Sequence, residues 1–128
     1  MIRNSFLIIS ILSLFYGMVF LLIPEWFVNF SEAKNTNIAW LRSIGASIIG
    51  LLFIGCLYIY FNPVGKLDLF RVITITSTLQ TIALFYSRFF SEFSANNLLV
   101  IDITIIIAVV VTTYFIFLNI YNSKYFNL

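Results

Sequence analysis

The residues best able to carry chemistry are a few charges within or beside long apolar runs. Arg42 and Asp102 each lie about four residues inside such a run, a depth of roughly 6 Å at 1.5 Å per residue. A charge at that depth in a bilayer is unfavourable unless it pairs, meets water or extends to the interface. Arg88 ends the third run and Glu25 ends the first, at the same membrane side. We therefore expect a polar cluster of Glu25, Arg42, Arg88 and Asp102, in which Arg42 pairs with Asp102.

A second set of polar residues recurs along the third apolar run. Thr74, Ser77 and Thr81 fall on one helical face, and Gln80 lies beside it. Hydroxyl residues of this kind usually hold membrane helices together, but they can also line a solute pathway. The charged cluster has the same two interpretations. It is either a clamp for the bundle or a pocket for an anionic headgroup, a small solute or a proton-coupled substrate.

Residue types that are rare or absent narrow the chemistry further. The sequence has no histidine and a single cysteine, Cys56. These counts exclude histidine-ligated haem or zinc, histidine-based nucleophilic catalysis and a disulfide within the chain. The remaining acid–base groups are Asp102, Glu25 and tyrosines, which give an enzyme little support. We expect no catalytic, cofactor-binding or metal-binding residue and no cofactor.

The composition indicates that these residues belong to a membrane protein. Of 128 residues, 62% are hydrophobic and 9% are charged, whereas soluble domains carry about 25% charged residues. So few charges cannot cover a core in water, so the surface must face lipid. The net charge of +2 gives no indication of a nucleic-acid partner. The length allows a single domain over residues 1–128.

Four apolar runs are each long enough to cross about 30 Å of hydrocarbon as a helix. The predicted helices span residues of about 5–23, 38–61, 69–89 and 98–118. Pro24 ends the first run, and the sequence Asn62-Pro63-Val64-Gly65 is a turn signal between the second and third. The first run is longer than the apolar region of a typical signal peptide. The expected fold is an all-α membrane protein, a four-helix antiparallel transmembrane bundle.

The distribution of lysine and arginine predicts the orientation of this bundle. One side carries four such residues: Arg3, Lys66, Arg71 and Lys124. The other side carries three: Lys34, Arg42 and Arg88. This bias predicts a multi-pass protein of the cell membrane, expected to be the bacterial inner membrane, with both termini in the cytoplasm.

Small residues recur at helical spacing in the first two runs. The second run carries Ala39, Ser43, Ala46 and Gly50 on one face, and the first carries Ser10, Ser13 and Gly17. Small side chains let helix backbones approach closely, so both stripes predict helix contacts, in the bundle or in a homodimer. In the fourth run the corresponding face is formed by Asp102, Ile106, Val109 and Thr113.

Two segments resemble a group of small bacterial membrane proteins. The sequence from Leu41 to Ala46 has the Arg-x-x-Gly-Ala pattern, and the first run ends in Leu22-Ile23-Pro24-Glu25-Trp26. Both segments resemble small uncharacterised four-helix membrane proteins that are loosely similar to the DoxX-like group. The resemblance covers about 35 residues. It implies the four-helix architecture and brings no activity with it.

The functional expectation is correspondingly broad. The sequence favours a non-enzymatic accessory or assembly subunit, or a binder of lipid-like molecules. The alternative is a small dimeric transporter, whose pathway is lined by the third helix and the Arg42/Asp102 cluster. The expected partners are the lipid bilayer and either a second copy of the chain or a membrane partner protein.

Overall fold

The computed structural model describes residues 2–33, 37–93 and 96–126 of the chain. Its helices are α1 (Ile2–Leu22), α2 (Pro24–Phe30), α3 (Ile38–Phe61), α4 (Leu67–Phe89) and α5 (Leu98–Tyr121), followed by a 3-10 turn (Ser123–Phe126). These described residues form no β-strand. All helices except α2 are long and apolar enough to span a membrane, which confirms the predicted all-α four-helix fold.

Three of the long helices extend past the apolar runs from which they were predicted. α1 begins at Ile2, α4 begins at Leu67 and α5 ends at Tyr121. The added turns contain Arg3, Asp68 and Asn119, which lower the local hydropathy but continue the backbone hydrogen bonding of a helix.

Pro24 determines how the chain turns at the end of α1. Proline has no N–H to donate, and it is favoured in the first turn of a helix, so α1 ends at Leu22 and α2 begins at Pro24. The Phe27 ring of α2 then packs edge-on against Phe20 of α1, at a centroid distance of 4.8 Å. α2 therefore folds back against the end of α1.

α1 and α3 form the first hairpin, in which two glycines permit a close crossing. A Cβ atom at Gly45 would lie 2.6 Å from the backbone nitrogen of Leu21 and 2.8 Å from the carbonyl oxygen of Gly17. Farther along, α3 contains a π-helical segment (Ile48–Phe53). Ser10 of α1 donates a 3.0 Å hydrogen bond to the Phe53 carbonyl. Because π-helical turns disturb the ordinary hydrogen-bond register, this hydroxyl supports the backbone where the helix is irregular.

α4 and α5 form the second hairpin, and side-chain hydrogen bonds hold it together. The Ser77 hydroxyl bonds to the Thr112 hydroxyl at 2.6 Å, and the Thr81 hydroxyl bonds to the same group at 2.9 Å. About two turns beyond Thr112 on α5, the Asn119 amide donates to the Thr74 hydroxyl at 2.6 Å. These bonds satisfy polar groups that would otherwise lie unpaired in an apolar medium.

Four phenylalanines join the two hairpins at one end of the bundle. Phe6, Phe70, Phe115 and Phe126 are all fully buried. The Phe126 ring stacks on Phe70 at 4.7 Å, and Phe6 packs edge-on against Phe70 at 5.3 Å. The Phe126 carbonyl also accepts a 2.8 Å hydrogen bond from the Gly65 N–H. The 3-10 turn therefore closes this end, which we call the phenylalanine end.

The opposite end, called the α2 end, has a lighter connection between the hairpins. There the Asn97 N–H donates to the Ser31 carbonyl at 3.2 Å, and the Asn97 amide reaches the Phe30 carbonyl at 3.5 Å. At the phenylalanine end, by contrast, the hydroxyls of Ser5 and Tyr114 are hydrogen-bonded in addition to the ring contacts. The hairpins are thus packed firmly at one end and loosely at the other.

The structure corrects the predicted packing face of α3. The stripe of Ala39, Ser43, Ala46 and Gly50 is exposed, and no atom lies within 4 Å of a Cβ placed at Gly50. The prediction of a contact for this stripe within the bundle is wrong, because the neighbouring face at Gly45 packs against α1. The α1 stripe is confirmed, since Ser10, Ser13 and Gly17 are buried.

The prediction that Asp102, Ile106, Val109 and Thr113 form the inward face of α5 is also wrong. Ile106 and Thr113 are exposed, and the buried residues of α5 are Ile101, Ile105, Thr112, Phe115 and Leu118. Lys34, which entered the orientation count, lies outside the described residues.

Candidate functional site

The predicted charge cluster separates into two contacts, one in each hairpin. In the second hairpin, Arg88 Nε donates to Asp102 Oδ1 at 2.7 Å, and Nη2 lies 3.4 Å from Oδ2. Arg88 is in the last turn of α4, and Asp102 is in the second turn of α5. The predicted pairing of Asp102 with Arg42 is therefore wrong. Arg88 and Asp102 belong to the same hairpin, so Arg88 rather than Arg42 lies beside the carboxylate.

Arg42 stabilises the end of α1 instead. Its Nη1 donates a 2.5 Å hydrogen bond to the Leu21 carbonyl. That carbonyl is one of the last in α1, where the helix ends and its own backbone offers no donor. Pro24 prevents the helix from continuing and supplying one. Arg42 thus ties α3 to α1, in keeping with the favourable position of a cation at a helix C-terminus.

Glu25 makes no ion pair within the part of the chain that the structure describes. It is exposed in the first turn of α2. The four predicted charges therefore do not form one pocket. Instead, Arg42 stabilises the first hairpin, and the Arg88–Asp102 pair stabilises the second.

The hydroxyl residues proposed to line a pathway lie in the contact between α4 and α5. Thr74, Ser77 and Thr81 are buried, and their hydroxyls bond to α5 or to the preceding turn of α4. Gln80 is half-buried beside them. In this arrangement the hydroxyls hold two helices together.

A groove between the two hairpins is the feature that residue-by-residue reasoning missed. It has a volume of about 210 Å³ and lies between α1, α2 and α5. Its walls are formed by Phe15, Tyr16 and Val19 of α1, Trp26, Phe27 and Phe30 of α2, and Val100, Ile103 and Thr104 of α5. The sequence signal for it was the run of aromatic residues in α2, immediately after the proline break.

The groove occupies the part of the bundle nearest the α2 end. Its α1 residues fall within about two turns of Leu22, and its α5 residues fall within the first two turns after Leu98. α2 forms the wall at that end, where the Trp26 and Phe30 rings stack at 5.4 Å with an interplanar angle of 3°. Toward the other side, the phenylalanine end is closed.

Several lining residues are also surface residues, so the groove opens sideways. Phe15 is 62% exposed, Trp26 is 52% exposed and Ile103 is 47% exposed. In a membrane these residues face acyl chains rather than water. A larger depression of about 430 Å³ lies outside the long helices, among Val28, Asn29, Glu32, Ala33 and Asn96.

Comparisons with protein-family models, curated proteins and solved structures find no match to this chain. The resemblance to DoxX-like proteins stays a prediction. The site therefore has to be interpreted from its own geometry.

Proposed function

We propose that this protein binds the chain of a lipid-like molecule in the groove between its two hairpins, as a non-enzymatic, multi-pass membrane protein. The observation that carries the proposal is the groove itself, which lies between the two hairpins, is lined mostly by apolar and aromatic residues and opens at the exposed residues Phe15, Trp26 and Ile103. With both termini in the cytoplasm, as the charge bias predicts, the groove lies in the outer leaflet of the cell membrane. In a bacterium, the cell membrane meant here is the inner membrane.

The dimensions of the groove fit part of a lipid rather than a whole drug-sized ligand. Pockets for drug-sized ligands usually enclose about 300–1,000 Å³, and this groove encloses about 210 Å³. That volume accommodates roughly seven water-sized groups of about 30 Å³ each. One hydrocarbon chain, with the rest of the molecule in the bilayer, meets this limit.

Binding in the groove depends on contact rather than on the hydrophobic effect. A lipid chain is already in an apolar medium, so moving it from the bilayer into the groove removes no apolar surface from water. Preference must come from close packing against rigid aromatic walls and from any polar group in those walls. The aromatic side chains of Phe15, Trp26 and Phe30 provide such walls.

The alternative of a small dimeric transporter has less support. It needs a polar pathway along α4, and the hydroxyls of Thr74, Ser77 and Thr81 are engaged in the α4–α5 contact. A transport cycle would have to break these bonds. A role as accessory or assembly subunit is compatible with lipid binding, and the partner protein it requires is detected by the same experiment.

The test is native mass spectrometry of the full chain, purified in mild detergent, with extraction and identification of retained lipids. Val100→Phe fills the groove, and Val110→Phe makes the same change at an exposed position of the same helix. Wild type and Val110→Phe should retain one lipid per chain, and Val100→Phe should lose it. Equal retention in both variants would refute the groove as the site. A stoichiometric protein partner without a lipid would favour the accessory subunit.

A further inference from the structure

Two hydroxyl side chains from different helices line the groove, and the Trp26 indole N–H of α2 is its remaining polar side-chain group. Tyr16 of α1 and Thr104 of α5 are the only hydroxyl residues among its nine lining residues, and none of the nine is charged. The two hydroxyls come from different helices, α1 and α5, that line the same small space.

The Tyr16 hydroxyl is a free donor. It makes no hydrogen bond within the described residues, and no fully enclosed side-chain polar atom there lacks a partner. The Tyr16 hydroxyl is therefore accessible from outside the protein. Its ring is held between Phe15 and Phe20, with edge-on contacts at 6.1 Å and 6.0 Å.

The depth of Tyr16 makes water a poor partner for that donor. Tyr16 lies six residues before the end of α1, roughly 9 Å along the helix. Side chains on a helix lean toward its N-terminus. For α1 this direction leads away from α2. At that depth in a bilayer an unpaired polar group is unfavourable.

Thr104 offers the complementary group. Its hydroxyl donates to the Val100 carbonyl at 2.9 Å, which uses its proton and leaves the oxygen able to accept. The two hydroxyls therefore offer one free donor, from Tyr16, and one free acceptor, from Thr104. A hydroxyl group satisfies both, because it accepts one hydrogen bond and donates another.

We infer that the ligand of the groove is an uncharged lipid with a hydroxyl at the head of its chain, a long-chain lipid alcohol. A charged headgroup is disfavoured, because no charged residue lines the groove. A lipid whose only polar group is a hydroxyl needs no aqueous exit for its head. The ligand hydroxyl accepts from Tyr16 and donates to Thr104. This inference rests on the proposed function and specifies its ligand.

The experiment uses the full chain with Trp40→Phe, which leaves Trp26 in the groove wall as the single tryptophan. A chain-brominated phosphatidylcholine quenches Trp26, and 1-hexadecanol, its methyl ether and hexadecane compete for the groove. The ether accepts but cannot donate. Each hydrogen bond should change affinity about threefold to tenfold. The expected order is hexadecanol, then ether, then hexadecane.

Two variants assign the bonds separately. Thr104→Val should abolish the difference between alcohol and ether, while Tyr16→Phe should weaken both compounds equally relative to hexadecane. Equal competition by all three compounds, or stronger competition by palmitate, would overturn the inference and leave the groove as a lipid site. If quenching in Val100→Phe and its parent is the same and no compound competes, the proposed function fails and the inference fails with it.

Discussion

The crossing of α1 and α3 offers a stringent test of the packing, because two glycines on α3 differ sharply in their surroundings. A Cβ at Gly45 would lie 2.6 Å from Leu21 N, 2.8 Å from Gly17 O and 2.9 Å from Phe20 Cβ. A Cβ at Gly50 would have no neighbour within 4 Å. Alanine therefore fits at Gly50, whereas at Gly45 it would force α1 and α3 apart.

The magnitude follows from two opposing terms. Alanine is a better helix former than glycine by about 1 kcal/mol, and overpacking a tight contact costs about 1–3 kcal/mol. At Gly45 the upper end applies, because two of the three contacts are to backbone that cannot change rotamer. We expect Gly45→Ala to lower the free energy of unfolding by about 2 kcal/mol. Gly50→Ala should leave it unchanged or raise it by up to about 1 kcal/mol.

The assay is thermal unfolding in detergent, followed by a thiol-reactive dye. Cys56 is the only cysteine and is fully buried, so dye labelling reports unfolding. The combined difference of about 3 kcal/mol should separate the melting temperatures of the two variants by roughly 10 °C. Gly17→Ala should lose less than Gly45→Ala, because its closest neighbour is the movable Ile49 side chain. Melting temperatures of Gly45→Ala and Gly50→Ala within about 2 °C would refute the crossing.

Three further predictions concern other parts of the molecule. Phe126→Ala removes a ring worth about 3–5 kcal/mol from the cluster that also contains Cys56, so native maleimide labelling should accelerate. The control Phe117→Ala, at an exposed ring, should label like wild type, and equal rates in both variants would contradict the closed end. Reporters placed in segment 24–37 and after α5 should read outside and cytoplasm respectively, whereas equal signals would indicate dual insertion. We predict that the exposed α3 stripe packs against a second copy of the chain, so Gly50→Leu should dissociate that homodimer without lowering the melting temperature, and an unchanged oligomer mass would rule out the stripe as its interface.

The helices could be predicted from sequence because bilayer thickness sets a minimum length for an apolar run. Which face of a helix packs inward could not, since lipid-facing and protein-facing residues are equally apolar. On α3 the faces of Gly45 and Gly50 both carry small residues, and only the position of α1 distinguishes them. Hydropathy carries no record of that position.

The charged residues show the same limit. Depth along the helices correctly marked Arg42 and Asp102 as residues in need of partners, but their partners depend on which helices are neighbours. α3 packs against α1, so Arg42 meets the Leu21 carbonyl, and the hairpin of α4 and α5 supplies Arg88 to Asp102. The groove could not be predicted from the sequence for a related reason. It exists because α2 folds back and the hairpins separate at that end, which no single segment encodes.

The most direct test of the lipid groove is to map where a bound chain lies. Hexadecanol with a diazirine on its chain would be photo-crosslinked to the full-length protein in bilayers, and the modified residues identified by mass spectrometry. Crosslinks should concentrate in residues 15–30 and 100–104 and disappear with excess unlabelled hexadecanol. An even spread over lipid-facing positions such as Ile75, Leu79 and Ile82 of α4, insensitive to competition, would contradict the groove as a binding site.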